Sequence, residues 1–302
     1  MTIHHETLCL TQPFDLDVTV DSWIYPDIQP VPEVKTPSRW TRCLTINSLM
    51  IPVRVHQIKW GAPTELKVSY ADQKGVLSQE VISAVGWLLG WDIDTRPVLQ
   101  AIKADPVIAH LAEPLVGLRP YSQPTLLEAL VKAILQQQVS FRSANQVTRK
   151  LVLAYGNKQQ LEETDVFGFP SLEVLAGLSE TDLRTCKLGY KAPYLVNLFR
   201  QITEGSLRLE DLGDLDSFSA IARLDELRGI GPWTAELAVL TGLRRFEVFP
   251  FGDLGIRTII SQLYLKGKPA KRRDVERVAG RWGEVRALVL YFLMCAQVLS
   301  LV

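Results

Sequence analysis

The stretch LRGIGPWTAE at residues 227–236 predicts two helices joined by a tight hairpin. Gly229 and Gly231 flank one apolar residue, and glycine allows both a sharp turn and a close approach of the backbone to a ligand. Pro232 then suits the first turn of the second helix. The amides that open this helix would point at whatever lies in front of the hairpin, and such amides bind phosphate.

A single carboxylate follows the hairpin in the stretch VFPFGDLG at residues 248–255. This carboxylate, Asp253, comes 253 − 231 = 22 residues after Gly231, about the length of one helix, a loop and the start of another helix. Asp253 is either a simple cap of that next helix or a catalytic group. The two interpretations are compatible, because a cap also fixes the direction of the carboxylate.

Length and composition indicate an ordinary soluble protein with room for two domains. The chain has 302 residues, of which 47% are hydrophobic and 22% charged. No apolar run reaches membrane-spanning length, and the first residues have no signal-peptide pattern. Cys9, Cys43, Cys186 and Cys295 are scattered without metal-binding spacing and indicate reduced thiols. These features predict a cytoplasmic protein.

The charge balance is neutral overall but uneven along the chain. Residues 244–286 carry 11 basic and 5 acidic side chains, so this stretch has a charge of 11 − 5 = +6. A local basic face is what contact with nucleic-acid phosphates requires. Charge runs are also common on solvated surfaces, so this stretch is compatible with DNA binding but does not decide it.

Residues 1–95 are predicted to form a small α+β domain with an antiparallel sheet and one helix. Apolar residues alternate or cluster at strand length, and residues 13–37 are rich in proline and aspartate and are expected to be mostly loop. The predicted strands lie at residues 7–10, 42–46, 51–58 and 65–70, and the predicted helix at 78–89.

Residues 96–302 are predicted to form an all-α region, because apolar residues recur there at helical spacing. A capping box at Thr125 opens a helix that continues through Gln138. The fold class is therefore α+β. Further helices are predicted at residues 142–155, 171–176, 180–186, 191–204, 218–227, 233–241, 255–264, 273–280 and 284–299.

The stretch AILQQQVS at residues 133–140 is the second motif. By itself, a glutamine run also fits the polar end of a helix. Together with the hairpin and Asp253, it resembles the helix-hairpin-helix (HhH-GPD) superfamily of DNA base-excision glycosylases. The chain is most similar to the 3-methyladenine DNA glycosylase II, or alkylpurine, type. The resemblance is good over residues 118–295 and weak over 1–95, where this type has its sheet domain.

The resemblance implies an enzyme that flips a damaged base out of the duplex and breaks its bond to the sugar. Asp253 occupies the catalytic position. A carboxylate about 4 Å from the positive charge that develops on the sugar supplies on the order of 4 kcal/mol, or nearly three powers of ten in rate. Trp233 replaces the lysine with which bifunctional relatives cut the strand, so water is the expected nucleophile. Trp233 is either a stacking surface for a cationic base or a plain core residue.

The resemblance also implies the other site residues. Departures from the alkylpurine pattern occur at Leu237, Leu254 and Met294, where the bacterial enzyme has aromatic residues, and at Gln138, which replaces the intercalating leucine. Phe249, Phe251, Tyr190, Tyr291 and Phe292 are candidates to replace the lost stacking surface. The expected base pocket is Trp233, Leu237, Tyr291 and Met294, and the expected DNA-binding residues are Gly229, Ile230, Gly231, Thr234, Gln137, Gln138 and Ser140.

The expected cofactors and partners follow from the same resemblance. No iron–sulfur cluster is expected, because only Cys295 lies near the C-terminus. A structural monovalent cation on the backbone of Gly229 and Gly231 is compatible with the family pattern, and no other metal is expected. The expected partner is double-stranded DNA with damaged bases. The protein is expected to be a monomer and not to bind a membrane. In a prokaryote it is expected to be cytoplasmic and associated with the nucleoid.

Two alternatives remain open. An oxidised-purine glycosylase of the same superfamily shares the sheet domain, but the missing hairpin lysine argues against it. A non-catalytic helix-hairpin-helix module would only grip DNA phosphates. Asp253 argues against that module, because a pure binder gains nothing from a carboxylate that faces a polyanion.

Overall fold

The computed structural model describes residues 2–302. The N-terminal part is a five-stranded antiparallel sheet in the order β1-β5-β4-β3-β2, with one short and one longer helix. The sheet follows from alternation, since Leu66, Val68 and Tyr70 of one strand are all buried. Its elements are β1 (Ile3–Leu10), α1 (Leu16–Asp21), β2 (Val34–Thr36), β3 (Arg39–Ile46), β4 (Leu49–Lys59), β5 (Thr64–Ala71) and α2 (Ser78–Leu89).

The predicted α+β class is confirmed, but residues 13–37 contain more structure than the expected loop. Helix α1 is six residues long and begins after Asp15, whose side chain accepts a hydrogen bond from the backbone N–H of Val18. Its sequence LDVTVD includes valine and threonine, which favour strands, so local propensity hides the helix. Strand β2 has only three residues, too few for an alternation to show.

The rest of the chain is mainly helical, and most boundaries are close to those predicted. Helices at Arg96–Ala104 and Leu209–Asp214 were not predicted. The region is not entirely α-helical, because a two-stranded hairpin of largely polar sequence packs beside the sheet. The elements are α3 (Arg96–Ala104), α4 (Leu126–Gln136), α5 (Phe141–Tyr155), β6 (Lys158–Leu161), β7 (Thr164–Phe167), α6 (Leu172–Ala176), α7 (Glu180–Thr185), α8 (Ala192–Thr203), α9 (Leu209–Asp214), α10 (Ser217–Asp225), α11 (Pro232–Gly242), α12 (Leu254–Tyr264), α13 (Arg272–Ala279) and α14 (Arg286–Val298).

A buried ionic network joins the sheet to the helices. Arg42 of β3 donates hydrogen bonds to Glu33 and to Glu128 of α4, and each of the three side chains is at most 2% exposed. Buried charges must be paired, because an unpaired one loses its hydration without compensation. One continuous hydrophobic cluster also runs through both parts. The predicted division at residue 95 stays a prediction.

None of the helices within residues 2–302 is long and apolar enough to cross a membrane.

Candidate active-site cleft

The hairpin joins α10 to α11, and its two glycines have different roles. Gly229 has a φ of 89°, in the left-handed region, and an added Cβ atom would lie 2.2 Å from Cγ of Tyr194. Gly231 has a φ of −102°, and a Cβ atom there would meet nothing within 4 Å. The fold therefore requires glycine only at position 229. Gly231 leaves open space in front of α11, where a ligand could come close to the backbone.

Asp253 is the N-cap of α12, as one of the two interpretations predicted. Its Oδ1 accepts a hydrogen bond from the backbone N–H of Ile256 at 3.0 Å. Its Oδ2 accepts a hydrogen bond from Nε1 of Trp233 at 2.8 Å. The partly exposed carboxylate is thus fixed at both oxygens by N–H donors, which favours a defined orientation over free rotation.

Trp233 links α11 to α12 through this hydrogen bond. Its half-buried ring lines the cleft, so a flipped base could still contact it. The sequence had left a stacking surface and a core residue as alternatives, and neither included the contact with Asp253. A general rule could have suggested a contact of this kind, because the N–H of a tryptophan that is partly removed from water usually finds an acceptor.

Asp253 and Trp233 face a cleft of about 1300 Å³ between the hairpin, the ends of α4 and α14, and the N-terminal segment. Nearly all of the predicted site residues meet there. The predicted residues that line the cleft are Gln137, Gln138, Ser140, Gly229, Ile230, Gly231, Trp233, Thr234, Leu237, Asp253 and Met294. Lining residues that the sequence did not predict include Ser22, Trp23, Gln136, Phe141, Tyr194 and Gln297.

The prediction of Tyr291 as a pocket residue is wrong. Tyr291 is fully buried, and its hydroxyl accepts hydrogen bonds from Nε1 of Trp23 at 2.5 Å and from the backbone N–H of Tyr121 at 2.8 Å. Burial raises the pKa of Tyr291 well above its usual range. Trp23 lies between this tyrosine and the open cleft and is 8% exposed. Since α14 is apolar on nearly all sides, the sequence could not indicate which of its residues faces the cleft.

Two of the predicted DNA-binding side chains hold the hairpin instead of facing open space. The amide Nε2 of Gln137 donates to the carbonyl of Gly229 at 2.7 Å and to Oγ1 of Thr234 at 2.9 Å. Thr234 is only 3% exposed and Ile230 only 4%. For these residues, contact with DNA would have to come from the backbone.

The segment 137–140 is held at both ends and strained in between. Gln137 is fixed by the hairpin, and Oγ of Ser140 caps α5 by accepting from the backbone N–H of Ser143 at 3.1 Å. Gln138 has a φ of 55° and is exposed, as is Val139. Such strain persists where the surroundings impose it, often at functional sites. The role of Gln138 as a wedge in DNA stays a prediction.

The two carbonyls proposed for a monovalent cation already have protein donors. The Gly229 carbonyl accepts from Gln137, and the Gly231 carbonyl accepts from the backbone N–H of Ala235 at 3.0 Å. A cation at this place would share both oxygens with these donors, so the geometry gives it no support. The cation and the expected lack of an iron–sulfur cluster stay predictions.

The basic stretch 244–286 is used partly inside the protein. Arg244 pairs with Asp92, and Arg257 donates to the carbonyl of Ala270. The excess of charge in the sequence is therefore larger than the charge available to a ligand. Within residues 2–302, the exposed Arg228 in the hairpin makes no ion pair and no side-chain hydrogen bond, and it was not predicted as a DNA contact.

The hairpin, the capping aspartate after it and the cleft they share are the arrangement expected of a base-excision repair protein. A family model described as HhH-GPD superfamily base excision DNA repair protein matches residues 131–284, half of the chain. The chain belongs to this superfamily and is by class a DNA glycosylase. The resemblance inferred from the two motifs is confirmed.

The similar proteins include a sequence relative and two solved structures. A DNA-3-methyladenine glycosylase from Bacillus subtilis is 28% identical over 216 residues, 71% of each chain. A 3-methyladenine DNA-glycosylase from Archaeoglobus fulgidus has the same fold, with a TM-score of 0.85 at 24% identity over 97% of this chain and 98% of that one. An 8-oxoguanine glycosylase/lyase from Clostridium acetobutylicum gives 0.78 at 17% identity, covering 100% and 99%.

Proposed function

We propose that this protein is a monofunctional DNA glycosylase that hydrolyses the bond between sugar and base for alkylated purines flipped out of duplex DNA. The observation that carries the proposal is the chemistry of the cleft lining. Asp253 is the only carboxylate that lines the cleft within residues 2–302, and no lysine, arginine or histidine lines it. The cleft thus offers one negative charge and no strong proton donor.

This lining favours a leaving base that is already positively charged. When the bond between C1′ and nitrogen breaks, its electron pair stays with the base. An N-alkylated purine cation becomes neutral in this step and needs no general acid, whereas a neutral base would need a proton. The positive charge that develops on the sugar is stabilised by Asp253. The single carboxylate is therefore sufficient for alkylpurines.

The remaining walls suit an aromatic cation. The aromatic rings of Trp23, Phe141 and Trp233 line the cleft together with Leu237 and Met294. Aromatic faces attract cations, and the attraction grows when the cation is removed from water. The 3-methyladenine glycosylases among the similar proteins support alkylpurines as substrates. We extend the proposal to a monomeric, cytoplasmic enzyme that acts on double-stranded DNA.

The oxidised-purine alternative finds less support in the cleft. A lyase needs an amine that can attack the sugar, and position 233 holds an indole. Lys191 is the nearest candidate in sequence to the lining residue Tyr190, but its amine is buried and donates to the carbonyl of Leu135 at 2.7 Å. No observation in the structure favours strand cleavage.

The test is base release from matched duplexes that contain 3-methyladenine, 7-methylguanine, 8-oxoguanine, hypoxanthine or uracil. The wild-type protein should release the methylated bases fastest. Asp253→Asn, whose side-chain oxygen can still cap α12, should lower release by at least about two powers of ten because the negative charge is lost. Thermal unfolding and binding to a duplex with an abasic-site analogue serve as controls. Near-normal release of methylated bases by the variant would refute the proposal.

A further inference from the structure

Much of the surplus positive charge of the stretch 244–286 gathers in one loop outside the cleft. The segment LKGKPAKRR at residues 265–273, here called the basic loop, leads from α12 into α13. Four of its cations are exposed, and they are Lys266, Lys268, Lys271 and Arg273. Across residues 2–302 these four form no ion pair and no side-chain hydrogen bond, and none of them lines the cleft.

The basic loop is held against α12 and runs back along this helix. Oγ of Ser261 donates to the carbonyl of Lys268 at 2.7 Å. Further along the loop, Nε of Arg257 donates to the carbonyl of Ala270 at 2.6 Å. Since Arg257 lies one turn closer than Ser261 to the start of α12, the loop returns toward the end of the helix that carries the candidate catalytic carboxylate.

The last part of the basic loop lies beside the second helix of the hairpin. Nη2 of Arg272 is 3.2 Å from Oε1 of Glu236 in α11. Glu236 comes five residues after Gly231, which is about 7.5 Å along the helix. The basic loop therefore leads from the far end of α12 to the second turn of α11, the helix that begins at the hairpin.

Local stability does not explain these cations. Lys271 is the N-cap of α13 and Arg273 lies in its first turn, where the helix dipole favours anions and disfavours cations. The four unpaired charges also lie within eight residues of the chain and repel one another. A row of exposed cations on an ordered loop is suited to a polyanion.

We propose that the basic loop binds the phosphates of the duplex that flanks the lesion and so continues the contact made at the hairpin. The inference goes beyond the proposed function, because it concerns DNA outside the damaged site and rests only on DNA binding at the hairpin. One strand carries a phosphate about every 3.4 Å of the duplex axis. The contacts of Ser261 and Arg257 with the loop are about 6 Å apart along α12, which corresponds to about two phosphates.

An acidic segment of a partner protein would match the same charge. The position of the basic loop favours DNA, because the loop ends beside α11, whose first amides point to the place expected for a phosphate. The two partners predict different measurements. A protein partner leaves DNA affinity independent of the loop, whereas flanking DNA makes the affinity depend on the length of the duplex. Since the loop lies on one side of the hairpin, only one of the two flanks should matter.

The experiment uses the double variant Lys266→Gln/Lys268→Gln. The matched control is Lys74→Gln/Lys103→Gln, which also removes two exposed lysines that form no ion pair between Thr2 and Val302 and lie outside the cleft. Three duplexes carry the same abasic-site analogue, and two of them are extended by about 10 base pairs, or one helical turn, on one side or on the other. Affinity is measured between about 0.05 and 0.2 M salt, and thermal unfolding shows that each variant is folded.

The wild type should bind one of the two extended duplexes more tightly than the short one, with a steeper dependence on salt. For that duplex, the slope of log K against log salt should become shallower by about 1.8 in the loop variant, or 0.9 for each lost phosphate contact. The control should keep the wild-type slope. A wild type that binds all three duplexes equally, or a loop variant with the wild-type slope, would overturn the inference. A loss of the same size on all three duplexes would overturn it as well. Base release is not measured, so failure of the proposed chemistry would not change the result.

Discussion

Removal of the indole N–H of Trp233 should slow base release without weakening DNA binding. Trp233→Phe keeps an aromatic ring in the cleft but removes the donor that lies 2.8 Å from Oδ2 of Asp253. The carboxylate then keeps its bond to the N–H of Ile256 but loses the contact that fixes its second oxygen. If the role of the tryptophan is to orient Asp253, the loss appears in the chemical step.

The size of the effect follows from this one hydrogen bond. A hydrogen bond to a charged group contributes about 1.5–3 kcal/mol. If the orientation of the carboxylate is needed only in the transition state, the rate falls by about ten- to 150-fold. Since Asp253 is partly exposed, water can replace part of the lost contact, and the lower half of this range is expected.

The assay is single-turnover release of 7-methylguanine, with the affinity for an abasic-analogue duplex measured beside it. Trp282→Phe is the matched control, because Nε1 of Trp282 also donates to a carboxylate, that of Asp105, at 3.1 Å but outside the cleft. The control should lose stability and keep its rate of release. If Trp233→Phe releases the base within twofold of the wild type, the hydrogen bond does not orient a catalytic group.

Three further outcomes are expected. Gly229→Ala should lower the free energy of unfolding by at least about 2 kcal/mol, because its Cβ atom would meet the ring of Tyr194 and the backbone there has a left-handed φ. Gly231→Ala should have the stability of the wild type but bind all duplexes more weakly, to a similar degree for each. Urea denaturation and duplex titration separate the two, and equal stability of both variants would contradict this reading. Borohydride added during turnover should trap no protein–DNA adduct, because Trp233 cannot form an imine; a trapped adduct would favour the oxidised-purine alternative. Burial lowers the pKa of Lys191 from 10.5 to about 8, so the unfolded chain binds the proton of this amine more tightly than the folded protein does. The free energy of unfolding of the wild type, relative to that of Lys191→Met, should therefore rise from pH 8 to 10.5. A difference between the two proteins that does not change with pH would argue against a buried amine.

The parts of the site that the sequence could predict are those that local chemistry dictates. A glycine with a left-handed φ at position 229 and a helix cap at Asp253 leave signals within a few residues of the chain. The hydrogen bonds from Gln137 to the hairpin join residues that are 92 and 97 positions apart, so no local pattern reveals them. The contact between Trp233 and Asp253 joins residues 20 positions apart, which is about the longest separation at which a pattern in the sequence can still suggest a contact.

The wrong prediction at Tyr291 has the same origin. Its hydroxyl meets Trp23, which lies 268 positions earlier in a segment expected to be loop. Helix α14 is apolar on nearly all sides, so its sequence could not show that another element covers one of them. Distant packing therefore decides which aromatic ring faces the cleft.

Trp23 lies between α1 and β2, so the N-terminal part of the chain forms one wall of the candidate cleft. Cutting the chain at residue 95 would remove this wall of the cleft and the Arg42 partner of Glu128, which would keep only its ion pair with Lys132. The hairpin and Asp253 would remain in the fragment, but the space for the base would be open on one side. If Asp253 is the catalytic group, substitutions in the first 95 residues should therefore change the substrate range, although they lie far along the chain from that carboxylate.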